Sequence, residues 1–223
     1  MHILLTDRLI CPRCGPEYGL ILLAHEVRER RVLEGDLGCS NCRETFPVRD
    51  GLGDLRIPPR EQYSLPENPG SASNSDPDEV VRLGAFLGVT QGPGTLLLKG
   101  PVVRLAGELA ALIGEVEIVC IDPSLLDEEE GESVSRLMAG RKIPFFPGSF
   151  LGVVLSGDVG VEDLAQAARV VAPSGRVVVL DGFPEAKETL KELGLSVLLD
   201  EERVLVARRA RGETLPLVTL RGP

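Results

Sequence analysis

The chain has 223 residues, a formal net charge of −10 and 43% hydrophobic residues. This balance is that of a globular protein, so wholesale disorder is excluded, and the length suits one large or two modest domains. Two histidines and no tryptophan exclude a histidine-rich metal centre. No apolar run reaches the ~20 residues of a membrane helix, and no secretory signal pattern opens the chain, which together predict a cytoplasmic protein.

The acidic excess lies in the later part of the chain. Residues 1–60 hold nine basic and nine acidic side chains, whereas residues 61–223 hold fifteen basic and twenty-five acidic ones. Because a surface that binds phosphates is normally basic, nucleic acid is not expected as a partner of the larger, later region. The expected partner is another protein or a second copy of the chain.

Two Cys-x-x-Cys pairs, Cys11 with Cys14 and Cys39 with Cys42, are separated by 24 residues. Two tight turns that each supply two thiolates can complete a tetrahedral zinc site with no open position for chemistry. There are three alternatives to zinc. The first is a pair of disulfides, which needs an oxidising compartment; the others are a thioredoxin-type redox pair and an iron–sulfur cluster. The paired spacing favours structural zinc. The fifth cysteine, Cys120, lies in an apolar strand and is predicted to be a small buried hydrophobe.

The residues that follow the second pair read FPVRDGL (46–52), and those around the first pair read DRLICPRC (7–14). This pattern resembles the small zinc-ribbon family whose members activate tRNA, ribosomal-RNA and release-factor methyltransferases as partner subunits. The resemblance implies a β-rich zinc ribbon over residues 1–57 that contacts a methyltransferase beside its sheet. The residues themselves agree, because residues 31–37 alternate like a strand and Asp50-Gly51 is a strong turn signal.

A proline- and serine-rich stretch follows, and residues 58–77 are predicted to be a linker. It ends in a helix start, where Asp76 caps the helix and Pro77 takes the first helical position. The predicted apolar face of this helix consists of Val80, Val81, Leu83 and Phe86.

From residue 95 onward, strands and helices alternate. Strands are predicted at 95–98, 116–121, 149–155, 176–180, 195–199 and 203–207, and helices at 102–113, 162–171 and 184–194. Such alternation predicts an α/β fold, a Rossmann-like parallel sheet with helices on both faces. This domain is expected to span residues 78–212, with a tail at 213–223.

The residue pattern over 84–210 resembles class I S-adenosylmethionine-dependent methyltransferases. The likeness is carried by a closing strand pair and by four stretches, at 96–100, 116–124, 143–150 and 172–176. The resemblance implies that Gly100 belongs to the glycine-rich turn beside the cofactor and that Asp122 binds the ribose hydroxyls. An alternative role for Asp122 is to cap the turn that follows its strand.

At the positions that bind the cofactor in that family, this sequence departs from the family's pattern. In that family one acid holds the amino-acid end of the cofactor and another binds its adenine, and the matching residues here are Leu98 and Ala139. Leu151 matches a third usual acid. Two of the expected glycines are Val102 and Arg104, whose side chains are predicted to fill the cofactor's place. Each lost charge-assisted hydrogen bond costs about 1.5–3 kcal/mol, and about 1.4 kcal/mol is a factor of ten in affinity. S-adenosylmethionine is therefore a doubtful cofactor.

The predicted function is that of a zinc-ribbon protein with a non-catalytic, methyltransferase-like domain, acting as a scaffold, a regulator or a protein-binding partner. The alternative is an active methyltransferase with an unusual cofactor pocket, acting on RNA, a protein or a small molecule. A third hypothesis is that the acidic domain binds a basic protein. No catalytic residue can be assigned from the sequence.

Overall fold

The structure of the protein is a computed structural model, which describes residues 1–60, 76–127, 131–201 and 203–211. Most of the predicted linker and the predicted tail at 213–223 lie outside the described residues. None of the described helices has the length and apolar character of a membrane-spanning segment.

The first 57 residues, called here the N-terminal β region, form a short 3₁₀ turn and a meander of antiparallel strands. The strands are β1 (Ile10–Cys11), β2 (Gly15–Arg28), β3 (Arg31–Cys39), β4 (Thr45–Arg49) and β5 (Leu52–Asp54). The predicted turn between the last two is confirmed, since Asp50 and Gly51 have φ values of 47° and 76°. Positive φ at both central residues is what a two-residue hairpin with a type I′ turn requires.

The rest of the described chain, called here the α/β region, alternates strands with helices as predicted. Its strands are β6 (Gly94–Lys99), β7 (Val116–Ile121), β8 (Val134–Met138), β9 (Phe150–Leu155), β10 (Val171–Leu180), β11 (Leu195–Glu201) and β12 (Val204–Arg209). Its helices are α1 (Pro77–Leu87), α2 (Ala106–Ile113), α3 (Val161–Val170) and α4 (Ala186–Glu192).

Across the described residues, twelve strands form one sheet in the order β1-β2-β3-β4-β5-β8-β7-β6-β9-β10-β12-β11. Strands β8, β7, β6, β9 and β10 are parallel, and the antiparallel strand β12 lies between β10 and β11. The chain builds outward from β6 in one direction and then crosses back to β9, so the order reverses between these two central strands. This is the doubly wound arrangement, and it confirms the predicted Rossmann-like fold class.

Helices cover both faces of the parallel strands. Helices α1 and α2 pack on one face, over a core that includes Leu96 and Leu98. Helices α3 and α4 pack on the other face, over a core that includes Phe150. This second core continues into the N-terminal β region, where Leu37 and Phe46 are fully buried within it.

The N-terminal β region joins the α/β region by direct strand pairing. Strand β5 runs parallel to β8, with Gly53 opposite Leu137, and the N–H of Leu55 donates to the carbonyl of Met138 at 2.8 Å. The two strands pack closely here, because a Cβ at Gly53 would lie 2.7 Å from Cδ2 of Leu137 and that side chain would have to shift. The predicted domain boundary at residue 57 stays a prediction, since one sheet runs through both regions.

Polar contacts reinforce this seam. Arg31 of β3 makes two hydrogen bonds to the carboxylate of Glu117 on β7, at 2.6 and 3.0 Å, and both side chains are about 15% exposed. Arg8 donates to Oγ1 of Thr95 at 2.9 Å and to the carbonyl of Ser149 at 2.6 Å. Such partly buried, charge-assisted bonds fix the orientation of the two regions.

Two helix predictions need correction in detail. Helix α1 begins as predicted, with the Asp76 carboxylate accepting the N–H of Asp78 at 3.1 Å, but Val81 is 55% exposed because the buried positions follow a different stripe. The helix predicted over 102–113 divides into a 3₁₀ turn, Pro101–Leu105, and α2. Leu112, near the end of α2, is 50% exposed.

Candidate functional site

The four paired cysteines meet at one end of the N-terminal β region. Cys11 and Cys39 end β1 and β3, and Cys14 and Cys42 lie in the turns that follow. All four Sγ atoms lie within 4.8 Å of one another, with separations of 3.7 Å for Cys11–Cys42 and 3.8 Å for Cys14–Cys39. A tetrahedron with metal–sulfur bonds of about 2.3 Å has edges of about 3.8 Å. The cysteines are all free thiols, so the disulfide alternative does not describe this structure.

The surroundings of the cluster act in opposite directions on its thiols, lowering the pKa of Cys39 and raising that of Cys11. Burial alone would raise the pKa of Cys39, but the N–H groups of Cys42 and Asn41 and hydrogen bonds from neighbouring thiols lower it to about 7. The N–H of Cys14 donates to Sγ of Cys11 at 3.4 Å, and burial raises the pKa of Cys11 to about 12. Four sulfur donors with supporting N–H groups fit a thiophilic metal ion and leave no ligand position open.

A second candidate site is a cleft of about 620 Å³ at the carboxyl ends of β6, β7, β8 and β9. It lies where the strand order reverses, which is the usual ligand position in doubly wound sheets. The charged side chains that line it are Lys99, Asp122, Arg141, Asp158, Glu162 and Asp163.

Both residues predicted to bind the cofactor lie in this cleft. Asp122 directly follows β7, and its Oδ1 accepts the N–H of Ser124 at 2.8 Å, so the carboxylate caps the following turn while it lines the cleft. Gly100 has a φ of 86°, and a Cβ there would lie 2.1 Å from the carbonyl oxygen of Ser156. Glycine is therefore required at this position by the close approach of Ser156, which follows β9, whatever ligand the cleft holds.

The other motif positions divide between cleft and core. Ala139 lines the cleft, at the place predicted for an adenine-binding acid, but offers no carboxylate. Leu98 is fully buried in the core under α1 and α2. The prediction that Val102 and Arg104 fill the cleft is wrong, because the 3₁₀ turn after Gly100 directs both to the helix side. Val102 is 4% exposed in that core, and Arg104 pairs with Glu79 of α1.

The sequence analysis missed the ion pair that crosses the cleft. Lys99, the last residue of β6, binds the carboxylate of Asp163 in the first turn of α3. The other oxygen of Asp163 accepts the N–H of Gly160 at 3.0 Å. Asp158 and Glu162 were missed as well. Their positions in the sequence were the available signal, because Lys99 directly precedes the turn glycine, and Glu162 and Asp163 open a predicted helix.

No protein-family model matches the chain, and no curated protein matches it. Several solved structures that resemble it are methyltransferases. An O-methyltransferase family protein from Burkholderia thailandensis is 16% identical over 61% of this chain and 56% of its own, with a TM-score of 0.49. A protein assigned as a sarcosine dimethylglycine methyltransferase from Galdieria sulphuraria is 17% identical over 55% and 62%, with a TM-score of 0.46.

A third similar structure is a complex between the Trm112 methyltransferase activator of Haloferax volcanii and a methyltransferase. The matched chain of that complex is 11% identical over 67% of this chain and 100% of its own length, with a TM-score of 0.49. The aligned regions span less than two thirds of the Burkholderia and Galdieria proteins. Because these TM-scores lie below 0.5, the fold class rests on the strand order and connectivity described above.

Proposed function

We propose that the chain is a zinc-bearing, methyltransferase-like protein that does not catalyse methyl transfer. It acts as a scaffold, a regulator or a binding partner of another protein, in the manner of a pseudoenzyme. The N-terminal β region takes the place that a separate zinc-ribbon activator occupies beside a methyltransferase sheet. The observation that carries the proposal is the arrangement of charges in the cleft. Lys99 pairs with Asp163 there, and the nearby positions where the family has acids are Leu98 and Ala139.

Zinc is the metal that suits the four-cysteine cluster best. Sulfur–sulfur separations of 3.7 and 3.8 Å match one tetrahedral ion, and sulfur donors in paired turns favour zinc over harder metals. Four protein ligands leave no site for a bound water or substrate. The metal would therefore stabilise the N-terminal β region and take no part in a reaction.

The cleft is poorly suited to S-adenosylmethionine. The aminoacyl end of S-adenosylmethionine carries an ammonium group, yet β6 ends in the basic residue Lys99. The position before it, which the family fills with an acid, is the buried Leu98. Ala139 gives the adenine amino group no carboxylate acceptor. Two lost charge-assisted hydrogen bonds weaken binding by about a hundredfold or more.

The seam supports the idea of an activator built into the chain. Strand β5 extends the parallel sheet beyond β8, and the fully buried Leu137 and Phe145 lie in the same core as Phe46. A protease site placed within residues 61–75 tests this directly. We expect the two fragments to co-elute after cleavage, because strand pairing and a shared core hold them together. Fragments that separate under native conditions would contradict the docking role of the N-terminal β region.

One observation favours the alternative of an active methyltransferase. The cleft is open, with a volume of about 620 Å³, and Asp122 lies in it while Val102 and Arg104 do not obstruct it. An enzyme of this kind would hold its cofactor mainly through Asp122. Its substrate could be RNA, a protein or a small molecule.

Calorimetric titration of the zinc-loaded protein with S-adenosylmethionine separates the two proposals. We expect no saturable heat up to millimolar cofactor, and no transfer of a labelled methyl group to the protein itself or to RNA. A dissociation constant in the low micromolar range that Asp122→Asn weakens at least tenfold would overturn the non-catalytic proposal. Asp181→Asn, at an exposed acid paired with Arg203, is the matched control and should leave the titration unchanged.

A further inference from the structure

We infer that the chain forms a symmetric dimer, in which residues 20–24 of β2 pair antiparallel with the same residues of a second copy. The inference goes beyond the proposed function and holds whether or not the cleft binds a cofactor, because no residue of β2 lines the cleft. It rests on three properties of the described residues: an unpaired strand edge, an apolar exposed face at that edge, and the neutrality of this part of the chain.

Strand β2 is paired along only one of its two edges over much of its length. On one side, β3 pairs with it from Leu20 to Arg28. On the other side, the two-residue strand β1 reaches only Gly15 and Gly19, and no described strand continues the pairing beyond Gly19. The outward N–H and C=O groups of residues 20–28 therefore have no partner strand in the described chain. Such an edge is where a sheet adds a further strand.

The exposed face of this edge is apolar. Ile21 and Leu23 are 66% and 63% exposed, more than any other large hydrophobic side chain among the described residues. They share one face because alternate residues of a strand do so, whereas Leu20 and Leu22 pack on the core. On β3, Gly38 lies opposite Ile21 and has no side chain to cover it. The solvent face of an antiparallel sheet is normally polar, so an apolar pair here indicates a contact surface.

Two features limit the flat part of this edge to residues 20–24. Strand β1 occupies the edge up to Gly19, and the pairing of β2 with β3 shifts register between Ala24 and Glu26. A bulge of this kind bends its strand and increases the twist. Glu26 and Arg28 follow the bulge, and charged side chains are a usual means of keeping an edge strand unpaired. The intervening residues 20–24 read LILLA and carry no charge.

A second copy of the chain is the occupant that this segment matches. Antiparallel pairing of two identical strands requires a two-fold axis, and the midpoint of the flat segment places that axis at Leu22. Ile21 of each copy then lies directly opposite Leu23 of the other, with their Cβ atoms about 4.5–5.5 Å apart. The four side chains form one apolar cluster on the exposed face, so each copy covers the surface that the other leaves open.

The distribution of charge also favours a second copy at this edge. Residues 1–60 hold nine basic and nine acidic side chains, whereas the net charge of −10 comes entirely from residues 61–223. Two copies that met through the α/β region would bring two acidic surfaces together. A dimer formed through β2 joins the neutral regions instead, and its paired segments contain no like charges to oppose each other.

Analytical ultracentrifugation of the full-length, zinc-loaded protein tests the inference. We expect a reversible dimer with a dissociation constant in the micromolar range, because the contact is small. A chain that stays monomeric at about 100 μM would overturn the inference, and so would an assembly that grows beyond two copies, since a two-fold contact closes on itself.

Leu23→Lys places two charges in the apolar cluster of the dimer. It should weaken dimerisation about a hundredfold or more, while the zinc content and the unfolding temperature of the dilute monomer stay unchanged because Leu23 is exposed there. Val81→Lys is the matched control, at a side chain of α1 that is 55% exposed, and it should dimerise like the unmodified protein. A folded Leu23→Lys protein that still dimerises would overturn the inference.

Hydrogen exchange identifies the paired edge and needs no variant. Raising the protein concentration through the dimerisation midpoint should slow exchange at residues 20–24, while β11, at the opposite edge of the sheet, should not change. Protection that appears on β11 or on α1 instead would overturn pairing at β2. Removal of residues 213–223 should leave the dimer intact, and its loss would show that the tail covers this edge. None of these measurements involves S-adenosylmethionine, so their failure is distinguishable from failure of the proposed function.

Discussion

The cysteine cluster and the cleft differ in what each has retained of its expected chemistry. The cluster has all four sulfur donors, at separations that match a single tetrahedral ion. The cleft has its expected place in the fold and one expected acid, Asp122, but Leu98, Ala139 and Leu151 stand where three further acids are expected. The fold thus sets where a site lies, whereas a few side chains decide which ligand that site can bind.

The difference has a physical origin in what holds each region together. The parallel strands around the cleft are fixed by fully buried apolar residues such as Leu97, Val119 and Val153, so the cleft can form without a ligand. The N-terminal β region is small, and small domains often need a metal to supplement their core. Loss of a sulfur ligand should therefore cost stability, while loss of a cleft acid should not.

The largest effect is expected for Cys39→Ser. The variant should lose the bound zinc, about one ion per chain, and several kcal/mol of unfolding free energy, because metal binding contributes directly to the folding of such sites. Elemental analysis and thermal unfolding measure the two effects.

Cys120→Ala is the matched control, since Cys120 is buried in β7 away from the cluster. It should keep its zinc. A Cys39→Ser protein that retains a full complement of zinc would contradict the assignment of the cluster, and so would iron in the unmodified protein.

The seam should show an intermediate effect. Arg31→Met leaves the carboxylate of Glu117, with a side chain only 15% exposed, without its bidentate partner. Removing one member of a buried pair costs about 3–5 kcal/mol, and partial exposure reduces this to about 2–4 kcal/mol. Denaturant unfolding gives the value.

Arg203→Met is the control for the seam, because it removes an ion pair whose side chains are 78% and 53% exposed. Exposed pairs contribute at most about 1 kcal/mol. Similar losses for the two variants would indicate that the Arg31–Glu117 pair does not fix the N-terminal β region to the sheet.

The smallest effect on stability is expected for Asp122→Asn. The amide oxygen can still accept the N–H of Ser124, so the turn after β7 stays capped and the unfolding free energy should change by less than about 1 kcal/mol. A loss above about 2 kcal/mol in chemical denaturation would make Asp122 a structural residue and would remove the contrast between the two sites.

Local signals in the sequence predicted much of this fold. The Asp50-Gly51 turn, the Asp76 cap and the strand at 116–121 were predicted from short-range chemistry, and the structure confirms them. Strand β8 was missed because it carries Ser135 and Arg136, which are both buried. Their burial depends on distant partners, among them the carbonyl of Asp50 for the arginine, which no local pattern reveals.

The cleft was predictable in place but not in detail. The resemblance to class I methyltransferases put Gly100, Asp122 and Ala139 there, and the structure places all three in its lining. The sequence could not reveal which way the turn after Gly100 directs Val102. That depends on a 3₁₀ turn packed under α1 and α2, which is a tertiary effect.

One measurement bears most directly on the contrast between the sites: thermal unfolding of the same preparation with its metal removed and, separately, with millimolar S-adenosylmethionine added. A ligand at a hundredfold excess over its dissociation constant stabilises a protein by about 2.7 kcal/mol, which raises the unfolding temperature of a chain this long by several degrees. We predict a clear fall on metal removal and no rise with the cofactor. A rise of several degrees that Asp122→Asn abolishes, or no change on metal removal, would contradict the proposal of a structural zinc centre joined to a non-catalytic cleft.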